Sequence, residues 1–301
     1  MTPDQILSFK PNVLTQKQRE SYFENGYLLV ERFLDDAWLK RLRAAVARQV
    51  EHSRAYTQSD AIFDLEPGHT AETPRLRRVS SINDQDTVFW DYCAKSPLTE
   101  LIADLVGPDV KFHQSKLNFK WAKGGAEVKW HQDAPFFPHT NDAVLTVGTY
   151  LHDCGMDQGP LKVIPGAHRG PIYDHYDAQE NWTGALRNED IERLPLERAV
   201  ALCGPAGSIT VHNYRMVHGS EPNRSDLGRP LLLNVLSAAD AMPYTYNPLS
   251  TRYYQQVIRG KPAKWAHHDP RPNLIPPDWS GGYTSIFAIQ KGEGDKPKAA
   301  E

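Results

Sequence analysis

The chain has 301 residues, with 34 Lys or Arg against 37 Asp or Glu and a net charge of −3. That length suits one large β-rich domain, and the charge balance leaves no polybasic footprint for nucleic acid. Three cysteines, Cys93, Cys154 and Cys203, form no CxxC pair, which excludes a disulfide framework and a thiolate-rich zinc or iron–sulfur site. Twelve histidines direct any metal site towards imidazole and carboxylate ligands.

The opening MTPDQILSFKPN lacks the apolar core of a signal peptide, and no apolar run is long enough to span a bilayer. A cytoplasmic protein with no membrane contact is expected. Residues 15–24 read as a short helix, with Thr15 as N-cap, Gln18 at the capping-box position and Gly26 as the stop. The β-branched and aromatic run 27–33 reads as a strand. Asp35 or Asp36 caps a second helix, whose Leu39, Leu42, Val46 and Val50 have helical spacing. Ser96-Pro97 starts a third, with Leu98, Leu101, Ile102 and Leu105 as its stripe and Gly107 as its end. From about residue 109 the texture changes. Short apolar runs at 110–112, 144–151, 161–164, 208–212 and 231–236 are separated by Gly, Pro, Asn and Asp, the pattern of a sandwich or barrel. Residues 168–198 look like a long insertion, of the kind that serves as a lid or binding loop. The charged tail 291–301 is expected to be disordered. No repeat, GxGxxG or Walker-type loop is present.

The informative stretch is Trp130-His131-Gln132-Asp133. On a strand, residues i and i+2 share a face, so His131 and Asp133 can offer one nitrogen and one oxygen to a common metal. Taken alone, the pair also fits a surface turn. His218, at the end of the polar stretch that follows the 208–212 run, is a third candidate ligand. Two histidines and one carboxylate leave three open octahedral positions, which suits a non-haem Fe(II) that must accept a bidentate cosubstrate and O2 together. Arg229 stands at the head of the apolar run 230–236. A buried Arg there needs a carboxylate partner, either one end of a small dicarboxylate gripped by the guanidinium fork or a local acid such as Asp226.

In combination these stretches are similar to the phytanoyl-CoA dioxygenase family of Fe(II)- and 2-oxoglutarate-dependent oxygenases. The likeness covers about residues 15–240. It rests on SYFENGYLLVERFL at 21–34, WHQD at 130–133, QGPLKVIPGAHRG at 158–170 and HGSEPNRSDLGRP at 218–230. The resemblance implies a mainly β fold with flanking helices, a double-stranded β-helix (a cupin-like jelly roll) whose mouth holds the metal. The expected organisation is a single domain over 1–290: a helical part at 15–107, a jelly-roll core at about 109–240 and a C-terminal extension. The resemblance also implies that His131, Asp133 and His218 bind Fe(II). The distal carboxylate of 2-oxoglutarate would meet Arg229 and Ser220, with Gln114 and Asn118 at positions that lie near the cosubstrate in related members. One departure is Gly148, where relatives often carry a cosubstrate-contacting side chain; Tyr150 is a candidate to fill that space.

The activity implied is hydroxylation or desaturation of a C–H bond in a small molecule, consuming O2 and releasing succinate and CO2. Related halogenases replace the carboxylate of the triad with a small residue, so the presence of Asp133 favours hydroxylation or desaturation. Substrate identity and oligomeric state stay open. Two other readings stand beside this one: a cupin-type hydrolase or isomerase with zinc or manganese in the same triad, and a non-catalytic binding protein on the same barrel. The basic residues Arg75, Arg77, Arg78, Lys116, Lys120, Lys123 and Lys129 either meet an anionic group or form a solvated strand face. Phe136, Phe137, Tyr173 and Trp182 are either pocket walls or core. His113 and His212 read as structural, His168 as a turn residue and His267-His268 as solvent-facing, while His139 and His152 are candidate substrate contacts.

Overall fold

The computed structural model describes residues 1–279, Tyr283 and 285–292. Its N-terminal part is helical. After a short α1 (Pro3–Ser8), Thr15 caps α2 (Gln16–Asn25): its hydroxyl accepts from the Gln18 N–H and the Gln18 side chain accepts from the Thr15 N–H. Gly26 ends the helix in the left-handed region at φ 81°, where a Cβ would strike the His168 and Met216 side chains. Strand β1 (Tyr27–Val30) is shorter than the run 27–33 predicts. Asp35 caps α3 (Asp36–Ser53), which buries Leu39, Leu42 and Val46 along one stripe.

Four elements that the apolar pattern did not single out follow: β2 (Phe63–Leu65), β3 (Leu76–Ser80), α4 (Ile82–Gln85) and α5 (Thr87–Lys95). The two strands are short and carry charged residues, and α5 is rich in aromatic and β-branched side chains that do not announce a helix. Helix α6 (Leu98–Val106) begins just past Pro97, with the Ser96 hydroxyl accepting from the Leu98 N–H, and ends at Gly107.

Beyond residue 109 the chain is mostly strands: β4 (Val110–Lys120), β5 (Val128–His131), β6 (Val144–Tyr150), β7 (Lys162–Val163), then after α7 (Asn188–Ile191) β8 (Val200–Ala201), β9 (Ile209–Asn213), β10 (His218–Ser220), β11 (Arg229–Ala238) and β12 (Val257–Arg259). Among the described residues they form two antiparallel sheets. The larger has the order β1-β9-β6-β11-β4-β3-β2, with β12 also on β4; the smaller has the order β5-β10-β7-β8. This mainly antiparallel architecture with flanking helices is the expected jelly roll. The central strands of the large sheet are buried on both faces, because α6 covers the outer side of β4 and β11 while the inner side faces the barrel interior.

The predicted run 110–112 proves to be only the start of β4, an eleven-residue strand. Its inward-facing Gln114, Lys116, Asn118 and Lys120 are polar, so apolar periodicity lost the strand where it becomes functional. Residues 168–198 are largely irregular, as expected for an insertion, but are pinned to the barrel through Gln132. Of the tail expected to be disordered, Lys291 closes a last helix, α8 (Ile286–Lys291), and Gly292 caps it; 293–301 lie outside the described residues.

Candidate active site

The two histidines of the triad meet because of strand register. Strands β5 and β10 pair antiparallel with His131 directly opposite His218, and their rings lie 4.0 Å apart between centroids. Strand β5 ends at His131, so Asp133 stands in the following turn rather than on the strand itself. Alternation survives because Gln132 is locked facing the other way. Its amide donates to the Pro171 and Arg215 carbonyls and accepts from the Tyr173 N–H, while its backbone N–H donates to His175 Nε2. Asp133 Oδ1 thus comes 3.9 Å from Nε2 of both His131 and His218, and the three donor atoms lie within 4.8 Å of one another.

The protonation of this cluster follows from its partners. His131 Nδ1 donates to the Lys129 carbonyl and His218 Nδ1 to the Met216 carbonyl, each at 2.8 Å, which leaves both Nε2 lone pairs free for a metal. Burial pushes the His131 pKa down to about 4 and that of His218 well below its ordinary value, the facing imidazoles adding to the latter. Burial alone would raise the Asp133 pKa, but His212, His218 and Lys116 around it hold the carboxyl well below its usual range. Neutral imidazoles and an ionised carboxylate are the donor states a divalent cation requires. The other Asp133 oxygen, Oδ2, accepts from the Thr146 hydroxyl at 2.7 Å and lies 3.4 Å from His212 Nε2.

A cavity of about 60 Å3 opens in front of the triad, walled by Asn118, Lys120, Ser220, Arg229, Leu231 and Leu233 among others. Arg229 is 4 % exposed, and its Nε and Nη1 have no hydrogen-bond partner among the described residues. The local acid proposed as its alternative partner, Asp226, pairs instead with Lys123 at 2.6 Å on the surface. Lys120 donates to the Ser220 hydroxyl at 2.8 Å and to the Ser220 and Glu221 carbonyls. Burial, then the neighbouring Arg229, pushes its pKa down to about 6. A second cavity, of about 20 Å3, adjoins the first and is lined by Gln114, Phe136, Phe137, Leu249 and Tyr283; Lys116, Asp133 and Ile286 border both. Gln114 and Asn118 therefore face inward together but line different chambers.

Several residues fall elsewhere. At Gly148 a Cβ would come within 2.6 Å of Thr210 Oγ1, with Leu231 and Leu233 next to it, so the space is already filled. Tyr150 does not occupy it: its hydroxyl donates to the Leu202 carbonyl within an apolar cluster formed with Cys154, Leu231 and Leu233. Trp182 packs against Phe136, His175 and Trp279 in the core, while Phe136 and Phe137 do wall the second cavity. His152 is exposed and His139 is buried against His113 and Tyr214, so neither candidate borders these two cavities. His168 holds the Phe23 carbonyl, and His267 and His268 are exposed. His212, read as structural, sits 4.4 Å ring to ring from His218 and borders the first cavity. Thr146 is the site residue the sequence did not single out; Lys116 and Lys120 were read only as part of a basic segment that meets either an anionic group or solvent, and His212 only as structural. The inward alternation along β4, β6 and β9 is the signal that points to them.

His139 and His175 are each pushed down to about 3, chiefly by burial. The unfolded chain therefore binds protons below about pH 6.5 that the native state refuses. Stability is full above that pH and falls towards pH 3, by up to about 1.4 kcal/mol per pH unit for each group. The urea midpoint of the metal-free protein should drop between pH 7 and 5, and the drop should be shallower in His139→Gln and His175→Gln. A flat midpoint over that range contradicts the assignment.

The donor set and the unpaired Arg229 fit a divalent metal with a carboxylate-bearing cosubstrate beside it. Comparison with known proteins agrees. Residues 22–231 match the family described as Phytanoyl-CoA dioxygenase (PhyH). A probable alpha-ketoglutarate-dependent hypophosphite dioxygenase of Stutzerimonas stutzeri is 33% identical over 234 residues, 77% of this chain and 81% of that one. The ectoine dioxygenase of Bordetella bronchiseptica is 27% identical over 252 residues, 79% of each chain. The crystal structure of EctD from S. alaskensis with 2-oxoglutarate and 5-hydroxyectoine superposes with a TM-score of 0.64 at 23% identity, covering 91% of this chain and 92% of that one. The class defined is that of Fe(II)- and 2-oxoglutarate-dependent dioxygenases. Within it, this chain belongs to the phytanoyl-CoA dioxygenase family. Among the described residues, no helix is long and apolar enough to cross a membrane.

Proposed function

We propose that His131, Asp133 and His218 bind Fe(II), and that Arg229 with Ser220 and Lys120 holds the distal carboxylate of 2-oxoglutarate. The enzyme, one domain over 1–290, would hydroxylate or desaturate a C–H bond of a small molecule. The observation that carries this reading is the buried, unpaired Arg229 in the same cavity as the triad. A cupin-type hydrolase or isomerase does not need such a cation, whereas a cosubstrate with a distal carboxylate does. When bound, iron and 2-oxoglutarate together supply the reduction of O2 that oxidises the substrate, as the cosubstrate becomes succinate and CO2.

The chain's own residues then have distinct tasks. The Nδ1–H bonds of His131 and His218 fix each ring with Nε2 towards the metal. Thr146 orients Asp133 by donating to Oδ2, leaving Oδ1 on the histidine side. The Ser220 hydroxyl accepts from Lys120, which frees its own proton to donate to a carboxylate beside Arg229. Asn118 Oδ1, without a partner among the described residues, faces the same cavity. Leu231, Leu233 and Phe287 exclude water from that wall. Gln114, in the second cavity, faces substrate rather than cosubstrate.

Succinate formation from 2-oxoglutarate under Fe(II) and O2, stimulated by a member of a small-molecule library, is the direct test; absence of any 2-oxoglutarate turnover in iron-loaded protein contradicts the reading. A second outcome is expected of Lys120. A dianion bound nearby restores its charged form, so cosubstrate binding should take up protons above about pH 6. Binding enthalpies measured at pH 7.5 in buffers of different ionisation enthalpy should reveal this uptake, and Lys120→Met should remove it. A second reading of the bond oxidised is favoured by the cramped second cavity: the S. stutzeri relative is named for hypophosphite, a compact anion whose oxidisable bonds are P–H.

A further inference from the structure

Lys116 stands where the two cavities join. It borders both of them together with Asp133 and Ile286, and among the described residues it makes no hydrogen bond and no ion pair. It occupies the inward face of β4, one step from Gln114 on the substrate side and one step from Asn118 on the cosubstrate side. Asp133, the anion that lines both cavities with it, is committed to the metal in the proposed site. A desolvated ammonium without a counter-charge is costly, and an anion in the adjoining chamber removes the cost.

The chamber also limits size. A chamber of about 20 Å3 has room for about one or two waters. Among the described residues its other walls, Phe136, Phe137, Pro248, Leu249 and Ile286, are apolar, with Gln114 and Tyr283 as the polar exceptions. A single cation in a small, mostly apolar chamber recognises one compact anionic group and rejects its neutral isostere.

We infer that Lys116 is a specificity-determining residue, and that the substrate presents to it a compact oxyanion, either a small carboxylate or a phosphorus oxyanion. The inference rests on the proposed placement of iron on the triad and of 2-oxoglutarate beside Arg229. It goes beyond that placement by naming the substrate's charge and the residue that reads it.

The test is anaerobic calorimetry on the protein loaded with Fe(II) and saturating 2-oxoglutarate. Acetate, methylphosphonate and hypophosphite are titrated in turn, with acetamide as the neutral isostere of acetate. At least one anion should bind, and acetamide should bind at least tenfold more weakly than acetate if acetate is the class recognised. Tight binding of methylphosphonate or hypophosphite with acetate excluded assigns the phosphorus oxyanion instead. Lys116→Met should weaken the preferred anion at least tenfold, and Lys116→Arg should restore part of the loss. The inference is overturned if acetate and acetamide bind alike and neither phosphorus anion binds. It is equally overturned if no anion binds to protein that has taken up 2-oxoglutarate, or if Lys116→Met weakens 2-oxoglutarate and not the anion. Failure of the iron-loaded protein to bind 2-oxoglutarate at all is a different result, which removes the proposed cosubstrate site and this inference together.

Discussion

Asp133→Ala is expected to lose Fe(II) and, with it, all 2-oxoglutarate turnover. The carboxylate supplies the only oxygen among the three convergent donors, and its other oxygen is held by Thr146. Residues that merely orient a metal ligand cost about 10–100-fold in affinity or activity when removed, so loss of the ligand itself should exceed about 100-fold. Thr146→Val provides the graded comparison and should fall within that 10–100-fold range. Iron content after anaerobic loading, with circular dichroism to confirm folding, separates loss of metal from loss of structure. An Asp133→Ala protein that keeps one iron per chain and normal turnover contradicts the assignment of the triad.

Arg229→Ala should weaken 2-oxoglutarate while sparing iron. Truncating one partner of a buried, hydrogen-bonded charge pair costs about 2–5 kcal/mol, which is about 30-fold or more in affinity. Arg229→Lys keeps the charge but loses the fork, so it should fall between the two. The same residue gives a counterintuitive expectation for stability. Without cosubstrate, Arg229 is a buried cation with two nitrogens unpaired among the described residues, so replacing it with methionine should leave the free protein equally or more stable. What the variant loses is the stabilisation that 2-oxoglutarate confers on the wild type. Thermal unfolding of both proteins, with and without the cosubstrate, shows both effects. Undiminished cosubstrate affinity in Arg229→Ala would place 2-oxoglutarate elsewhere.

The sequence made some of this legible and hid the rest for identifiable reasons. The triad was readable because His131 and Asp133 lie two apart and His218 follows a strand; opposition of His131 and His218 across β5 and β10 then supplies the geometry. Arg229 was readable as an Arg opening an apolar strand. Lys116 and Lys120 were readable only as basic residues that meet either an anion or solvent, and His212 only as structural, because their meaning depends on which strands become neighbours. Strand β4 looked like a three-residue run because its inward face is polar, and the outward Leu117 and Phe119 alone do not make a pattern. Only the order β9-β6-β11-β4 turns that face towards the metal cluster. Gln114 and Asn118 were correctly read as sharing a face, yet Lys116 between them divides the interior into two chambers. Tyr150 could not be placed from sequence, since Thr210, Leu231 and Leu233 take the space at Gly148 and only a packed interior shows that.

One cavity is proposed to hold both iron and 2-oxoglutarate, on the triad and on Arg229. Anaerobic titration of the Fe(II)-loaded protein with 2-oxoglutarate, followed through the visible metal-to-cosubstrate charge-transfer absorption, tests it most directly. The wild type should show a saturable band, its midpoint should shift by about 30-fold or more in Arg229→Ala, and Asp133→Ala should show no band. Iron-loaded wild-type protein that shows no band at any 2-oxoglutarate concentration would contradict this placement.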